Sequence, residues 1–171
     1  MRILADNYYI FLRSLPFEND IYMEGMGEAR IKFLANLHIT ITKKYLPKKR
    51  KDRRYTTDYI SHMALELLKR SSWSSGELIY EHMVPKTRYV KEVCEKKAKS
   101  GEISAEFIFQ LLMKYFWTAT IHKKENKLLS KSMMPLDWDG ENIFARYNSA
   151  EIILIEHDKT YLSYESKIQT V

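Results

Sequence analysis

The apolar residues of this 171-residue chain recur at helical spacing through the first 70 positions and in short extended runs after that. Residues 2–14 and 28–45 show a helical period, and Pro16 and Pro47 end them. One further segment follows the spacing i, i+3, i+4, i+7 and i+8, which places its apolar side chains on a single helix face. Its members are Ile60, Met63, Ala64, Leu67 and Leu68. We expect this helix to be capped by Thr57 or Asp58.

The pattern changes after residue 76. Residues 77–84 and 117–121 are short apolar runs bounded by breaks, as is typical of strands. Residues 152–155 and 161–164 flank His157-Asp158-Lys159 and predict a β-hairpin. Helices are predicted over residues 87–99, from Ser104 to 115, 122–129 and 141–149. We therefore expect an α+β fold with a helical N-terminal half and a C-terminal half of short strands and helices that ends in a β-hairpin.

The composition favours a folded protein. Hydrophobic residues make up 45% of the chain, and its length suffices for one domain with a sizeable core. We predict a single domain over residues 1–171, with the break at 71–76 allowing a helical unit over 1–72 and an α+β unit over 77–171. No apolar run reaches the roughly 20 residues that span a bilayer, and no signal-peptide core follows Met1. With Cys94 as the single cysteine, we expect a cytoplasmic protein without disulfides or a membrane span.

The net charge of +6 is concentrated in one basic segment, residues 43–54. This segment holds eight lysines and arginines and one acid, Asp52, which gives it a net charge of +7. The rest of the chain is therefore close to neutral. Clustered cations next to Tyr45 and Tyr55 favour contact with nucleic-acid phosphates and stacking on bases. An acidic protein surface would use the same charges. The predicted nucleic-acid-binding residues are Lys43, Lys44, Lys48, Lys49, Arg50, Lys51, Arg53 and Arg54.

A second candidate functional motif lies in residues 78–86, Leu78-Ile79-Tyr80-Glu81-His82-Met83-Val84-Pro85-Lys86. An acid and a histidine end a short apolar run there, and a proline and a predicted helix follow. This arrangement resembles the HNH, or ββα-metal, nucleases. The resemblance covers residues 77–99 and implies that His82 acts as the general base and that Glu81 helps to hold Mg²⁺ or Mn²⁺ at the scissile phosphate. Glu81 and His82 are the candidate metal ligands. Glu81 stands where the family usually has Asp. Residues 87–106 contain neither Asn nor His, the ligands that the family places on its helix.

The other polar residues have structural interpretations. His38 and His62 lie on predicted helices and are expected to be partly buried packing residues. His122 is placed to cap a helix. Arg146 is expected to form an ion pair with Asp137 or Asp139.

These observations predict a nucleic-acid-associated protein that binds DNA or RNA, and the resemblance implies a metal-dependent, HNH-like endonuclease that uses Glu81 and His82. The alternative is a non-catalytic accessory or inhibitor protein, of the kind found in phages and mobile elements. Such a protein would bind a macromolecular partner through the basic segment and its aromatics, and it would need no cofactor. A nuclease would require a divalent metal ion.

Overall fold

The computed structural model of the chain describes residues 1–47, 51–71, 73–74 and 76–162. In chain order the helices are α1 (Arg2–Arg13), α2 (Asp20–Gly25), α3 (Gly27–Lys43), α4 (His62–Arg70), α5 (Glu92–Lys99), α6 (Ala105–Tyr115), α7 (Lys123–Asn126) and α8 (Ala145–Ser149). The strands are β1 (Tyr59–Ser61), β2 (Leu78–His82), β3 (Thr118–His122) and β4 (Leu154–Glu156). A 3₁₀ turn (Arg53–Tyr55) precedes β1, and a π-helical turn (Thr87–Lys91) runs directly into α5.

Within the described ranges, the strands form one mixed sheet in the order β2-β3-β1-β4. β1 runs parallel to β3, with Tyr59 opposite Ala119, and antiparallel to β4. β2 runs antiparallel to β3, and its last residue, His82, lies opposite Thr118. The chain between β1 and β3 contains α4, β2, α5 and α6, which provide the long connection that a parallel pair requires.

β3 is an inner strand, and all five of its residues are buried. Three of them, Thr118, Thr120 and His122, are polar, and buried polar groups need hydrogen-bond partners. The Thr118 amide and hydroxyl both donate to the Asp58 carboxylate, at 2.9 and 2.8 Å. The Thr120 hydroxyl donates to the Arg54 carbonyl at 2.9 Å. The segment that precedes β1 is therefore bound to β3 by side chains as well as by the sheet.

The two faces of the sheet are covered by different elements. On one face, Ile60 of β1 and Leu78 of β2 pack against Leu68 of α4. On the other, Ile121 of β3 packs with Tyr147 of α8. Successive residues of a strand point to opposite faces, which accounts for this division.

A separate buried cluster holds α1, α3, α5 and α6 together. Leu4, Tyr8 and Leu12 form the buried face of α1, spaced four residues apart as an amphipathic helix requires. Arg30 of α3 forms two hydrogen bonds with Glu95 of α5, at 3.0 and 2.7 Å, in a partly buried ion pair. This helical cluster meets the sheet at Phe116, which contacts the rings of residues 38 and 82.

The α+β prediction is confirmed, as are the helix that starts at Arg2 and the helix that ends before Pro47. The strand predicted over residues 77–84 is present and spans Leu78–His82. The Ser104 cap is also confirmed, because its hydroxyl accepts a hydrogen bond from the Phe107 amide at 3.1 Å. None of the helices in the described part of the chain is both long enough and apolar enough to cross a bilayer. The assignment of residues 1–171 to one domain stays a prediction.

The predicted start of α4 is wrong. Residues 59–61 are strand β1, and the cap is Ser61, whose hydroxyl accepts from the Ala64 amide at 3.3 Å. Ile60 is fully buried, but in the strand, and Met63 is exposed. The helical spacing of apolar residues extends into these three positions. They form a strand because pairing with β3 and β4 outweighs the local preference for helix.

The predicted hairpin is not present in the described residues. β4 pairs with β1, and residues 161–162 begin a helical turn; the rest of the predicted second strand, residues 163–164, lies outside the described ranges. The sequence also does not predict α2, since Asn19-Asp20 equally favours a turn. Asn19 instead caps this helix, accepting from the Tyr22 amide at 3.0 Å.

His157, directly after β4, anchors this end of the chain to the sheet. Its Nδ1 is hydrogen-bonded to the Thr57 hydroxyl at 3.0 Å and its Nε2 to the Tyr161 hydroxyl at 2.9 Å. The Thr57 hydroxyl in turn lies 3.0 Å from that of Thr120 on β3. Burial, assisted by the charge of Lys159, lowers the pKa of His157 to about 4.

We predict that His157 makes the fold acid-sensitive. Because its pKa is lower in the folded protein than the ordinary value of about 6.5, the stabilisation is complete above pH 6.5 and is lost as the pH falls towards 4. The free energy of unfolding should fall by about 2 kcal/mol between pH 7 and pH 5 on this account. Urea unfolding at both pH values should show a smaller fall for His157→Gln, and an unchanged fall for His62→Gln, which alters an exposed ring. Equal falls in wild type and His157→Gln would contradict the prediction.

Candidate functional site: a cleft at the end of strand β2

A cleft of about 450 Å³ lies where β2 ends and the helix after Pro85 begins. The residues predicted from the sequence, Glu81 and His82, both line it, together with the more distant acid Glu92. The cleft is also lined by three cations and two hydroxyl side chains. These are Lys86, Arg88, Lys131, Thr87 and Ser132.

Strand geometry gives Glu81 and His82 different surroundings, although they are adjacent in sequence. Along β2, Leu78, Tyr80 and His82 are buried, whereas Ile79 and Glu81 are half-buried. Neighbouring side chains of a strand point to opposite faces. His82 therefore lies on the face that meets the helical cluster, and Glu81 lies on the face that meets α8. Both reach the cleft because they are the last residues of the strand.

Glu81 is paired with a buried arginine. Nη2 of Arg146, on α8, donates to Oε1 of Glu81 at 2.9 Å, and Nη1 donates to the Ser130 carbonyl at 2.8 Å. Only 1% of the Arg146 side chain is exposed, compared with 23% of the Glu81 side chain. The expected ion pair of Arg146 with Asp137 or Asp139 is wrong, because the α8 register turns Arg146 towards the sheet. The charge of Glu81 is thus largely neutralised before any ligand binds.

His82 is held neutral by its surroundings. It is 8% exposed, and its ring makes edge contacts with Tyr80 and Phe116, at centroid distances of 5.5 and 4.8 Å. Burial, followed by the nearby charge of Lys86, lowers the pKa of His82 well below its ordinary value. Nε2 is buried and has no hydrogen-bond partner among the described residues. At neutral pH the ring is therefore uncharged and has an unsatisfied nitrogen.

Cations dominate the remainder of the cleft. The Lys86 ammonium donates to the Ile31 carbonyl at 2.6 Å, which leaves part of its donor capacity free. Arg88 and Lys131 are exposed, and neither side chain is hydrogen-bonded or ion-paired to any described residue. Glu81 is already paired with an arginine. Among the described residues that line the cleft, Glu92 is therefore the one unpaired carboxylate, compared with three cations. The cleft is electropositive.

The predicted nucleic-acid-binding residues divide into structural and free cations. The Lys51 ammonium donates to the carbonyls of Lys43 and Leu46, at 2.7 and 3.0 Å, and so caps the C-terminus of α3. Arg54 donates to the Leu78 carbonyl at 2.7 Å and pairs with Asp52. Lys43 is half-buried and Lys44 is exposed, both at the end of α3. Lys48, Lys49 and Arg50 lie outside the described residues.

Arg53 connects the basic segment to the cleft. It is exposed, and its guanidinium carbon lies 5.5 Å from the centroid of the Tyr80 ring, in cation–π contact. Tyr80 touches His82, and the charge of Arg53 is among those that lower the pKa of His82. Two rings in contact, those of Tyr80 and His82, therefore link Arg53 of the basic segment to the cleft.

The remaining histidines have structural surroundings. His38 is buried on α3 as expected, with Nδ1 hydrogen-bonded to the Tyr80 hydroxyl at 3.2 Å. The expected cap is confirmed for His122, which accepts from the Lys124 amide and forms a capping box with Glu125. His62 is exposed, contrary to expectation, because α4 starts at this residue and turns it outward. Burial raises the pKa of the Cys94 thiol to about 12, so it is not an activated nucleophile.

The cleft alone does not assemble a metal centre from side chains. Across the described ranges, no three His, Cys, Asp or Glu side chains are grouped so that they could hold a metal ion. Glu81 has Oε2 left beyond its bond to Arg146, and His82 has Nε2. Mg²⁺ is often held by only one or two carboxylates, with substrate phosphate and water completing its shell.

No family model, curated protein or solved structure matches the chain. The HNH resemblance therefore stays a prediction. The sequence does not predict the roles of Arg88, Lys131 and Arg146, which lie far apart along the chain and meet only in the fold. The one available signal is for Lys86 and Arg88, which follow Pro85 at the start of a predicted helix.

We predict that Glu81 contributes to stability as well as to the cleft. The substitution Glu81→Gln leaves the buried Arg146 guanidinium without a carboxylate, which should lower the free energy of unfolding by about 3 kcal/mol. The matched control is Glu141→Gln, which removes the carboxylate of the exposed Lys114–Glu141 pair and should cost at most about 0.5 kcal/mol. Urea unfolding monitored by circular dichroism measures both. Equal losses for the two variants would contradict this account of Glu81.

Proposed function

We propose that this is a nucleic-acid-associated protein that binds the phosphate backbone of DNA or RNA along the surface from Arg53 to the cleft. The observation that carries the proposal is that exposed cations lie at both ends of one series of contacts, which runs from Arg53 through Tyr80 to His82 in the cleft. Arg53 belongs to the basic segment, and Arg88 and Lys131 line the cleft. A phosphate chain requires such a row of cations, whereas a small anion requires only one group of them.

The aromatic residues on this surface support the same proposal. Tyr45, beside the basic segment, is 84% exposed. An exposed aromatic ring next to cations is the combination on which unpaired bases stack. This favours a partner with accessible bases, such as a single strand, over a rigid duplex.

The proposal predicts salt-dependent binding that needs Arg53. Fluorescence anisotropy with labelled single- and double-stranded oligonucleotides should show affinity that falls steeply with salt. Arg53→Gln and Lys44→Gln should each weaken binding to all sequences alike and reduce the slope of log K against log salt by about 1. Lys96→Gln and Lys99→Gln, exposed cations on α5 away from the cleft, should leave the slope unchanged.

Absence of oligonucleotide binding at low salt would overturn the proposal. Binding that the α5 control variants weaken as much as Arg53→Gln would also overturn it, since it would reflect net charge alone. The non-catalytic alternative, an accessory or inhibitor protein that binds an acidic protein surface, would then take its place.

A second candidate function is metal-dependent phosphodiester hydrolysis. It is favoured by the meeting of Glu81, His82 and Glu92 in the cationic cleft. Mg²⁺ or Mn²⁺ would stabilise the negative charge of the phosphate, held by Glu81 with the substrate. In the tautomer with its proton on Nδ1, the neutral imidazole of His82 has a free Nε2 able to accept a proton. This is the HNH-like endonuclease expected from the sequence.

The test is a gel assay on DNA and RNA with Mg²⁺ or Mn²⁺, and with EDTA. A nuclease of this kind should cleave only with metal, and His82→Gln should reduce cleavage by about 100-fold or more at saturating protein, where every substrate molecule is bound. His62→Gln is the matched control and should cleave as wild type does. A thermal melt of His82→Gln checks that the variant is folded. Binding without metal-dependent cleavage would reject the nuclease and leave a nucleic-acid binder.

A further inference from the structure

We propose that the cleft contains a phosphate-binding subsite, built from the first residues of the helix after Pro85, from Arg88 and Lys131, and from the buried nitrogen of His82. The subsite deepens the proposed function, and the assignment of its ligand to a nucleic acid rests on that function. Its chemistry is recognition of a phosphate group by N–H donors and cations. It does not require a metal ion.

The helix that starts at the cleft presents unsatisfied amides. Residues 86–99 are continuously helical. In the first helical hydrogen bond, the Tyr89 amide donates to the Pro85 carbonyl at 3.2 Å. The amides of residues 86–88 therefore have no acceptor within the helix. These amides carry the positive end of the helix dipole, which attracts anions. The hydroxyl of Thr87 lies among the lining groups as a further donor.

His82 gives a second, independent indication of a ligand. It is more than nine-tenths buried and lines the same cleft, yet its Nε2 lacks a hydrogen-bond partner among the described residues. A buried polar nitrogen left unsatisfied is costly, and the cost is removed when a ligand atom bonds to it. With its proton on Nε2, the neutral imidazole donates to a phosphate oxygen.

The charge of the cleft selects an anion. The guanidinium of Arg88 and the ammonium of Lys131 come from different segments, and neither is ion-paired within the described ranges. The Glu81 charge is neutralised by Arg146. A guanidinium binds two phosphate oxygens at once, and the ammonium adds a point charge. A phosphate fits this donor set because it offers oxygens to all of these groups.

Isothermal titration calorimetry with inorganic phosphate tests the subsite directly. Wild type should bind one phosphate per chain, and the double variant Arg88→Gln/Lys131→Gln should bind about tenfold or more weakly. The matched control is Lys96→Gln/Lys99→Gln, which removes the same charge from exposed positions at the other end of the same helix. It should bind within about twofold of wild type. Absence of saturable binding, or equal losses in the two double variants, would overturn the subsite.

Nuclear magnetic resonance of the histidine rings reports on the proposed contact. Phosphate should shift the side-chain nitrogen resonances of His82 and leave those of the exposed His62 in place. The same experiment on Arg88→Gln/Lys131→Gln should show a shift only at higher phosphate concentration. Saturable binding without a His82 shift would overturn the role of His82.

Oligonucleotides with a 5′-phosphate or a 5′-hydroxyl distinguish the sources of the phosphate. Preference for the 5′-phosphate that Arg88→Gln/Lys131→Gln abolishes would assign the subsite to a strand end. Equal affinity for both strands, lowered in the variant, would assign it to an internal phosphodiester. If the variant binds oligonucleotides as wild type does, the subsite fails while the proposed function stands. If phosphate binds at the cleft but no oligonucleotide does, the proposed function fails and the ligand is a free phosphate.

Discussion

The burial of polar side chains on β3 is the constraint on which the rest of the sheet depends. A strand covered on both faces is commonly apolar, but one face of β3 carries Thr118, Thr120 and His122. Each buried hydroxyl must be hydrogen-bonded within the protein, or the folded state pays for its lost hydration. The partners are Asp58 and the Arg54 carbonyl, with the network extending through residues 57 and 157. The segment that precedes β1 is consequently part of the sheet's core.

This attachment explains why neighbouring basic residues have different roles. Arg54 is directed inward, where it bonds the first carbonyl of β2 and Asp52, and it organises the edge of the sheet. Arg53, one residue earlier in a 3₁₀ turn, is directed outward over Tyr80. A sequence dense in cations thus supplies both structural and free charges. Only the free charges can bind a partner without loss of stability.

The cleft follows from the way β2 ends. Its last two side chains diverge to opposite faces, where one meets Arg146 and the other is enclosed by Tyr80 and Phe116. Pro85 then precedes a helix whose first residues line the same cleft. The result combines a neutralised carboxylate, a neutral histidine and a positive helix end. These groups leave the cleft with more positive than negative charge.

Local physical chemistry along the chain is enough to predict the α+β class, most helix positions, the presence of strand β2 and the caps at Ser104 and His122. Periodicity and capping depend on residues within a few positions of one another, so they are visible in sequence. The three-residue β1, the pairing of β4 with β1 and the meeting of Glu81 with Arg146 depend on contacts 60 or more positions apart. The set of residues that line the cleft also depends on distant contacts, because Lys131 comes from a segment far along the chain. Only tertiary structure decided these features, since long-range pairing and burial, and not local preference, determine which distant side chains share one space.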